Sequence, residues 1–259
     1  KIKKVTGITA GSVCLTASGQ VVDADGPCDN NDITAATLTV TAALFGVTPI
    51  ETAVGDITIS APAGNATFTN QGSYVKTGSN ETRIEIPFTN SNTLLINAGT
   101  LHFSSTFTQN AGNILLTSGA TAQFDNGLNL TAGSFTGSGT INGNVINGNI
   151  TGAAAAMSPG AILGQLAIQG NLTLLNTSQL LFDIGGTSSG VNYDLLSISG
   201  TAALGGTLTV NLVNNFASTI VPGVGGTTFT LLNATSLSGA FSNAANNSVF
   251  ATGVGGPVD

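Results

Sequence analysis

Tryptophan is missing from this 259-residue chain, and histidine and methionine occur once each, at His102 and Met157. Only 5 residues are basic, three of them in the first four positions, so past Lys4 the chain has Lys76 and Arg83 alone to set against 12 acids. Each shortage removes a class of function. A nucleic-acid partner needs a basic stripe with interleaved aromatics, and none exists. A membrane-spanning helix needs an unbroken apolar run of about 20 residues, whereas Gly, Thr and Asn interrupt every window here, so no membrane insertion is expected. No nucleophile elbow or phosphate-cradling loop is present. Charged residues are 7% of the total, which leaves Thr, Ser and Asn to keep the surface soluble, the composition of an extracellular β-protein. Lys1 is not Met and follows no apolar leader, as in a mature secreted chain or a trimmed one.

What is present is a beat. Gly99, Gly119 and Gly139 stand twenty residues apart, Gly112, Gly133 and Gly152 keep nearly the same interval, and short apolar runs such as Leu94 to Ile96 and Ile114 to Leu116 lie between them. Runs that short suit strands and not helices. A coil of about 20 residues holds three such strands and their corners, and stacking coils at about 4.8 Å buries one continuous apolar column. Gly and Asn supply the positive φ that tight corners need. The expected class is all-β, a β-solenoid with a β-rich end region; an antiparallel β-sandwich of hairpins is the alternative. The beat is approximate: two residues after the glycine come Leu101 and Ile141, but also Thr121.

Four regions follow: a head over 1–62, repeating coils over 63–152, a closing part with longer strands or wider coils over 153–242, and a patternless tail over 243–259. The alanines 153–156 lead into Met157-Ser-Pro-Gly160, which reads as a turn. In the head, residues 34–44 alternate with period two, placing Leu38, Val40 and Ala42 on one apolar face opposite threonines. Such a strand suits donation to a neighbouring copy's open sheet edge, so a homo-oligomer or polymer is expected, by strand donation or by end-to-end stacking.

Cys14 and Cys28 are the only cysteines. A bond between them would close a loop of about 15 residues, worth about 3 kcal/mol in loop-entropy terms, and would fit an oxidising compartment; two buried thiols are the alternative. Around Cys28, Asp23, Asp25, Asp29 and Asp32 crowd four carboxylates into ten residues. Asp23-x-Asp25-Gly26 opens like a calcium loop, yet Pro27 and Cys28 interrupt the ligand alternation and no Glu stands at the twelfth position. The stretch reads as a solvated turn with calcium as its candidate ion, and no other cofactor is expected.

Gly72-Ser-Tyr-Val-Lys-Thr-Gly78, Asn97-Ala-Gly-Thr-Leu-His-Phe103, Gly137-Ser-Gly-Thr-Ile-Asn-Gly143, Ser158-Pro-Gly160, Leu166-Ala-Ile-Gln-Gly-Asn-Leu-Thr-Leu174, Tyr193-Asp194, Phe229-Thr-Leu-Leu232 and Ser238-Gly-Ala-Phe241 resemble the β-strand repeats of bacterial surface proteins and autotransporter-passenger adhesins. The resemblance covers about residues 70–241. It implies a right-handed β-helix, secreted or held at the cell surface. It implies nothing about activity, because the motifs mark strand and corner positions.

Arg83 lies two residues from both Glu81 and Glu85, so the three share a strand face, as a salt-bridged strip or, with Asp125, as an acid/base group of a polysaccharide-processing enzyme. His102 lies between Leu101 and Phe103 on an alternating strand and is expected on the solvent face without a catalytic role. Asp183 and Asp194 are isolated. The expected function is non-enzymatic: an extracellular structural subunit that assembles into a surface or biofilm-matrix fibre. A cell-surface adhesin or glycan-binding module is the alternative, and it would need a lateral aromatic or polar groove.

Overall fold

The structure, a computed structural model, describes residues 67–216 and 228–244 in full, and four more strands by their backbone alone. Those four are β1 (Ile8–Val21), β2 (Ile33–Phe45), β3 (Thr52–Ser60) and, last in the chain, β26 (Gly253–Val254). Between them the chain repeats a three-strand coil. The first two coils are β4 (Phe68–Asn70), β5 (Ser73–Lys76), β6 (Glu81–Ile84) and β7 (Phe88–Asn90), β8 (Thr93–Ile96), β9 (Thr100–Phe103). The third and fourth are β10 (Phe107–Gln109), β11 (Asn113–Leu116), β12 (Thr121–Phe124) and β13 (Leu128–Leu130), β14 (Gly133–Gly137), β15 (Thr140–Asn142). The fifth is β16 (Val145–Asn147), β17 (Ala155–Pro159), β18 (Gln165–Gln169), and the sixth β19 (Leu172–Leu174), β20 (Ser178–Ile184), β21 (Leu195–Ile198). The seventh is β22 (Thr201–Leu204), β23 (Thr207–Leu212), β24 (Leu232–Asn233), with β25 (Ser236–Gly239) opening the next turn.

Every third strand joins the same sheet, and every pairing between these strands is parallel. Sheet A has ten strands, β1-β2-β3-β6-β9-β12-β15-β18-β21-β24; sheet B runs from β4 to β25 and sheet C from β5 to β26, eight strands each. This is a right-handed β-solenoid, and the antiparallel sandwich is excluded.

The register refines the glycine beat. Leu101 pairs with Ala122, and Ala122 with Ile141, so one step overshoots the beat of twenty by a single residue and the next falls short of it by the same amount. The slip explains the misfit of Thr121: the inward residue of the third coil is Ala122, fully buried, and Ala120 stands where Gly99 and Gly139 do. The Gly112 and Gly133 pair does stack, because a Cβ on Gly133 would lie 2.2 Å from the Gly112 carbonyl oxygen, with φ at +74° besides. Gly152 stands outside the stack, with open space around it.

Most strands of three to five residues between β6 and β19 alternate in burial, and their inward positions form ladders. Phe68, Phe88 and Phe107 stack at centroid distances of 4.8 and 5.7 Å, and Phe103 on Phe124 at 5.2 Å, each such pair contributing about 0.5–1.5 kcal/mol beyond its area. Beyond them Leu128, Ile141, Val145, Leu166, Leu172 and Leu196 continue one core through the stack.

One inward row of sheet B is polar: Asn70, Asn90 and Gln109 occupy matching positions, then Leu130, Asn147 and Leu174. Asn70 Nδ2 donates to Asn90 Oδ1 at 2.7 Å, and Asn90 Nδ2 to Gln109 Oε1 at 3.0 Å. Buried amides are costly alone, and in coils one to three each coil supplies the partner for the next, whereas Asn147 donates to Ser178 Oγ at 2.8 Å and its buried Oδ1 has no partner among the described residues.

The closing region consists of wider coils and not hairpins. Matching inward positions of sheet A keep close to the beat of twenty in the early coils, then move further apart at each later step, from Ile141 to Ile168, from Ile168 to Ile198, and most of all from Leu196 to Leu232. The turn expected at Met157 to Gly160 is instead mostly strand: β17 runs Ala155–Pro159 with Ala155 and Met157 buried, and the chain turns at Gly160, φ +79°. Alanine and proline give a weak strand signal, and tertiary pairing with β14 overrides it.

Candidate functional site

Parallel stacking brings residues about one coil apart in sequence to adjacent positions on a sheet face. On the outer face of sheet A this gathers four of the seven Asp, Glu, Lys and Arg side chains of the described coils, together with the histidine. Arg83 on β6, His102 on β9 and Gln123 on β12 share one row, with Glu81 beside Arg83 on β6, and Glu85 and Asp125 just past the ends of β6 and β12. Arg83 Nε donates to Glu85 Oε1 at 2.9 Å, and its guanidinium lies 4.0 Å from Glu81, so the expected strip is present.

His102 departs from expectation. It faces outward, yet its side chain is only 6% exposed, because Glu81, Arg83, Gln123 and Asp125 close over it. The ring is satisfied in either neutral tautomer. With its proton on Nδ1 it donates to Glu81 Oε1 at 3.0 Å and accepts the Gln123 amide at Nε2 at 3.1 Å. With the proton on Nε2 it donates to Asp125 Oδ1 at 2.9 Å and accepts Arg83 at Nδ1 at 3.1 Å. Gln123 Nε2 also reaches Asp125 Oδ1 at 3.0 Å; that bond and the His102 contact hold the Asp125 carboxyl below its usual range. His102 follows Glu81 by 21 residues and precedes Asp125 by 23, close to one coil in each direction, and that spacing was the signal for the cluster. Chemically the group is a clasp across three coils: each charged side chain and both ring nitrogens contact another member.

Three more ionisable groups serve the fold. Lys76 takes an inward position in register with Ile96, its ammonium donating to the carbonyls of Gly78 and Ala98. Asp194 is fully buried, and its carboxylate accepts the backbone N–H of Gly164 and of Asp183, both at 2.8 Å. Burial pushes its carboxyl up to about 7, against the opposing pull of those two N–H groups. Asp183, predicted to be isolated, accepts Asn211 Nδ2 at 2.9 Å.

Cys14 lies on β1 opposite Thr39, while Cys28, Asp23, Asp25, Asp29 and Asp32 lie outside the described residues. β2, which carries Leu38, Val40 and Ala42, is paired on both edges within its own chain, with β1 on one side and β3 on the other. Among the described residues no group of three or more His, Cys, Asp or Glu side chains is arranged to hold a metal ion, and no helix is long and apolar enough to cross a membrane. No family model, curated protein or solved structure matches this chain, so the fold brings no family assignment with it.

Proposed function

We propose that this chain is an extracellular structural subunit, non-enzymatic, whose solenoid builds a surface or matrix fibre. The observation that supports it is where the polar chemistry goes. The buried amides run from coil to coil, Asn70 to Asn90 to Gln109, and the charged side chains of sheet A clasp coils one, two and three around His102. Groups arranged to join neighbouring coils resist shear along a rod. Among the described residues, the acids and the imidazole of this cluster are turned toward one another.

The scarcity of charge and the Thr, Ser and Asn surface agree with life outside the cell. Because β2 already has both neighbours, strand addition between copies would use the outer edge of β1, which stands last in sheet A among the described strands. Electron microscopy of the native protein tests the reading: unbranched fibres are expected. Single-chain particles at every concentration, with light scattering giving a monomer, would refute it.

A further inference from the structure

The geometry points to a binding site for an uncharged oligosaccharide in the corner between sheets C and A. It goes beyond the structural role and does not depend on it. Successive coils turn this corner with loops of unequal length: four residues between β11 and β12, two (Ser138, Gly139) between β14 and β15, and five between β17 and β18. A short corner between two longer ones is a notch. Two contiguous hollows of about 470 and 450 Å³ occupy it, sharing Ser118, Ser138 and Leu163, and both fall within the range of small-ligand sites, about 300–1,000 Å³.

The floor is set by Gly139, where a Cβ would lie 2.4 Å from the Ala120 carbonyl oxygen and 2.7 Å from Leu116 Cγ. The overhanging wall is fixed at both ends. Gly160 N–H donates to Gly137 O at 2.7 Å, and Gly164 is held through its N–H to the buried Asp194 and through its carbonyl to Leu195 N–H at 3.0 Å. The notch is therefore preformed, which lowers the ordering cost of binding.

Its chemistry selects the ligand. No ionisable side chain lines either hollow. One half carries the hydroxyls of Ser118, Ser138 and Thr140 and the amide of Gln165, none of which makes a side-chain hydrogen bond within the described residues, while the nearby Thr117 hydroxyl is committed to Asn97 O at 2.6 Å. The other half is an aliphatic shelf that includes Leu95, Leu115 and Ile162, the last 65% exposed. Uncommitted hydroxyls beside an aliphatic shelf, without charge, complement the hydroxyl edge and C–H face of a neutral sugar. An extended peptide fits poorly, because β12, β15 and β18 are paired on both sides and offer no backbone edge. With no aromatic platform, affinity is weak.

The full chain is titrated with neutral hexasaccharides of glucose, mannose and N-acetylglucosamine, and with polygalacturonate, by calorimetry and saturation-transfer NMR. The expected result is a millimolar Kd for at least one neutral chain. Ser118→Arg on the exposed rim weakens it at least about tenfold, Gln165→Ala weakens it less, and Thr108→Arg on the exposed face of sheet B leaves it unchanged. Circular dichroism checks the fold of each variant, and if Ser118→Arg does not fold, Gln165→Ala decides. Binding by no neutral chain, preference for polygalacturonate, or affinity that neither groove substitution changes overturns the proposal.

Discussion

Replacing Asn90 by leucine tests whether the internal amide row holds as a unit. Asn90 is fully buried; it accepts Asn70 Nδ2 and donates to Gln109 Oε1 and to Asn92 O at 2.9 Å. In Asn90→Leu, Asn70 Nδ2 keeps its bond to Thr93 O at 2.8 Å, and Asn92 O keeps the N–H of Asn113 at 3.1 Å. Gln109 Oε1 keeps nothing, and Gln109 is fully buried. One orphaned buried acceptor costs about 1–3 kcal/mol and the lost bonds about 1 more, so the expected loss is about 2–4 kcal/mol.

The triple variant Asn70→Leu, Asn90→Leu, Gln109→Leu removes the orphan together with its partners. Leucine already occupies this row at Leu130 and Leu174, both buried. The triple should therefore cost less than the sum of the three single changes by about 2 kcal/mol or more. Urea unfolding followed by circular dichroism measures the totals, and native-state hydrogen exchange localises the loss to coils one to three, since stacked coils open by neighbours. Additive costs would refute the coupling and reduce the row to independent side chains.

Gly112→Ala, with φ +74° and a Cβ 2.2 Å from the Asn92 carbonyl oxygen, should lower stability well beyond Gly119→Ala, which at φ +82° meets open space and loses only the left-handed penalty of about 1–2 kcal/mol; equal losses in melting experiments would contradict the stacking. Asp194 takes up its proton in the native state near pH 7 and unfolded near pH 4, so its contribution is fully present below about 4 and is lost as pH rises to about 7. Subtracting urea midpoints of Asp194→Asn from those of the parent across that interval should show the fall, and a flat or rising difference counts against it. Gln123→Ala removes the largest influence holding the Asp125 carboxyl down, so its titration, followed by carbon NMR, should move up toward the ordinary carboxylate range; an unmoved midpoint would show that the amide bond is not made.

Coil length and strand composition were legible because a solenoid writes its period into the chain; in the early coils Leu94, Ile96, Ile114, Leu116 and the phenylalanines point inward as alternation dictates, while Leu95 and Leu115 face out. Register was harder. A coil slightly longer than the beat followed by one equally shorter leaves the mean at twenty while displacing Ala122 from the position the glycines mark. The same uncertainty hid the cover on His102, since its neighbours lie a coil away and one residue of error moves a side chain to the other face. β17 was invisible because Ala, Met, Ser and Pro carry little strand preference and acquire it only from β14. The sugar-sized notch depends on differences among loop lengths, which have meaning only once the strands on either side are aligned.

The widening of the later coils has a bearing on how such a chain finds one fold. Identical rungs would let a newly formed strand dock one level too low or too high with nearly equal contacts, producing a ladder of competing misfolds. The growing steps of sheet A, Ile141 to Ile168, Ile168 to Ile198 and Leu196 to Leu232, remove that degeneracy, because a strand docked one rung off leaves its loops several residues too long or too short. The early coils, near equal in length, must rely on the amide row and the His102 clasp to tell their levels apart. The taper thus acts as a key cut along the molecule, rejecting one-rung errors where side chains alone would let them pass.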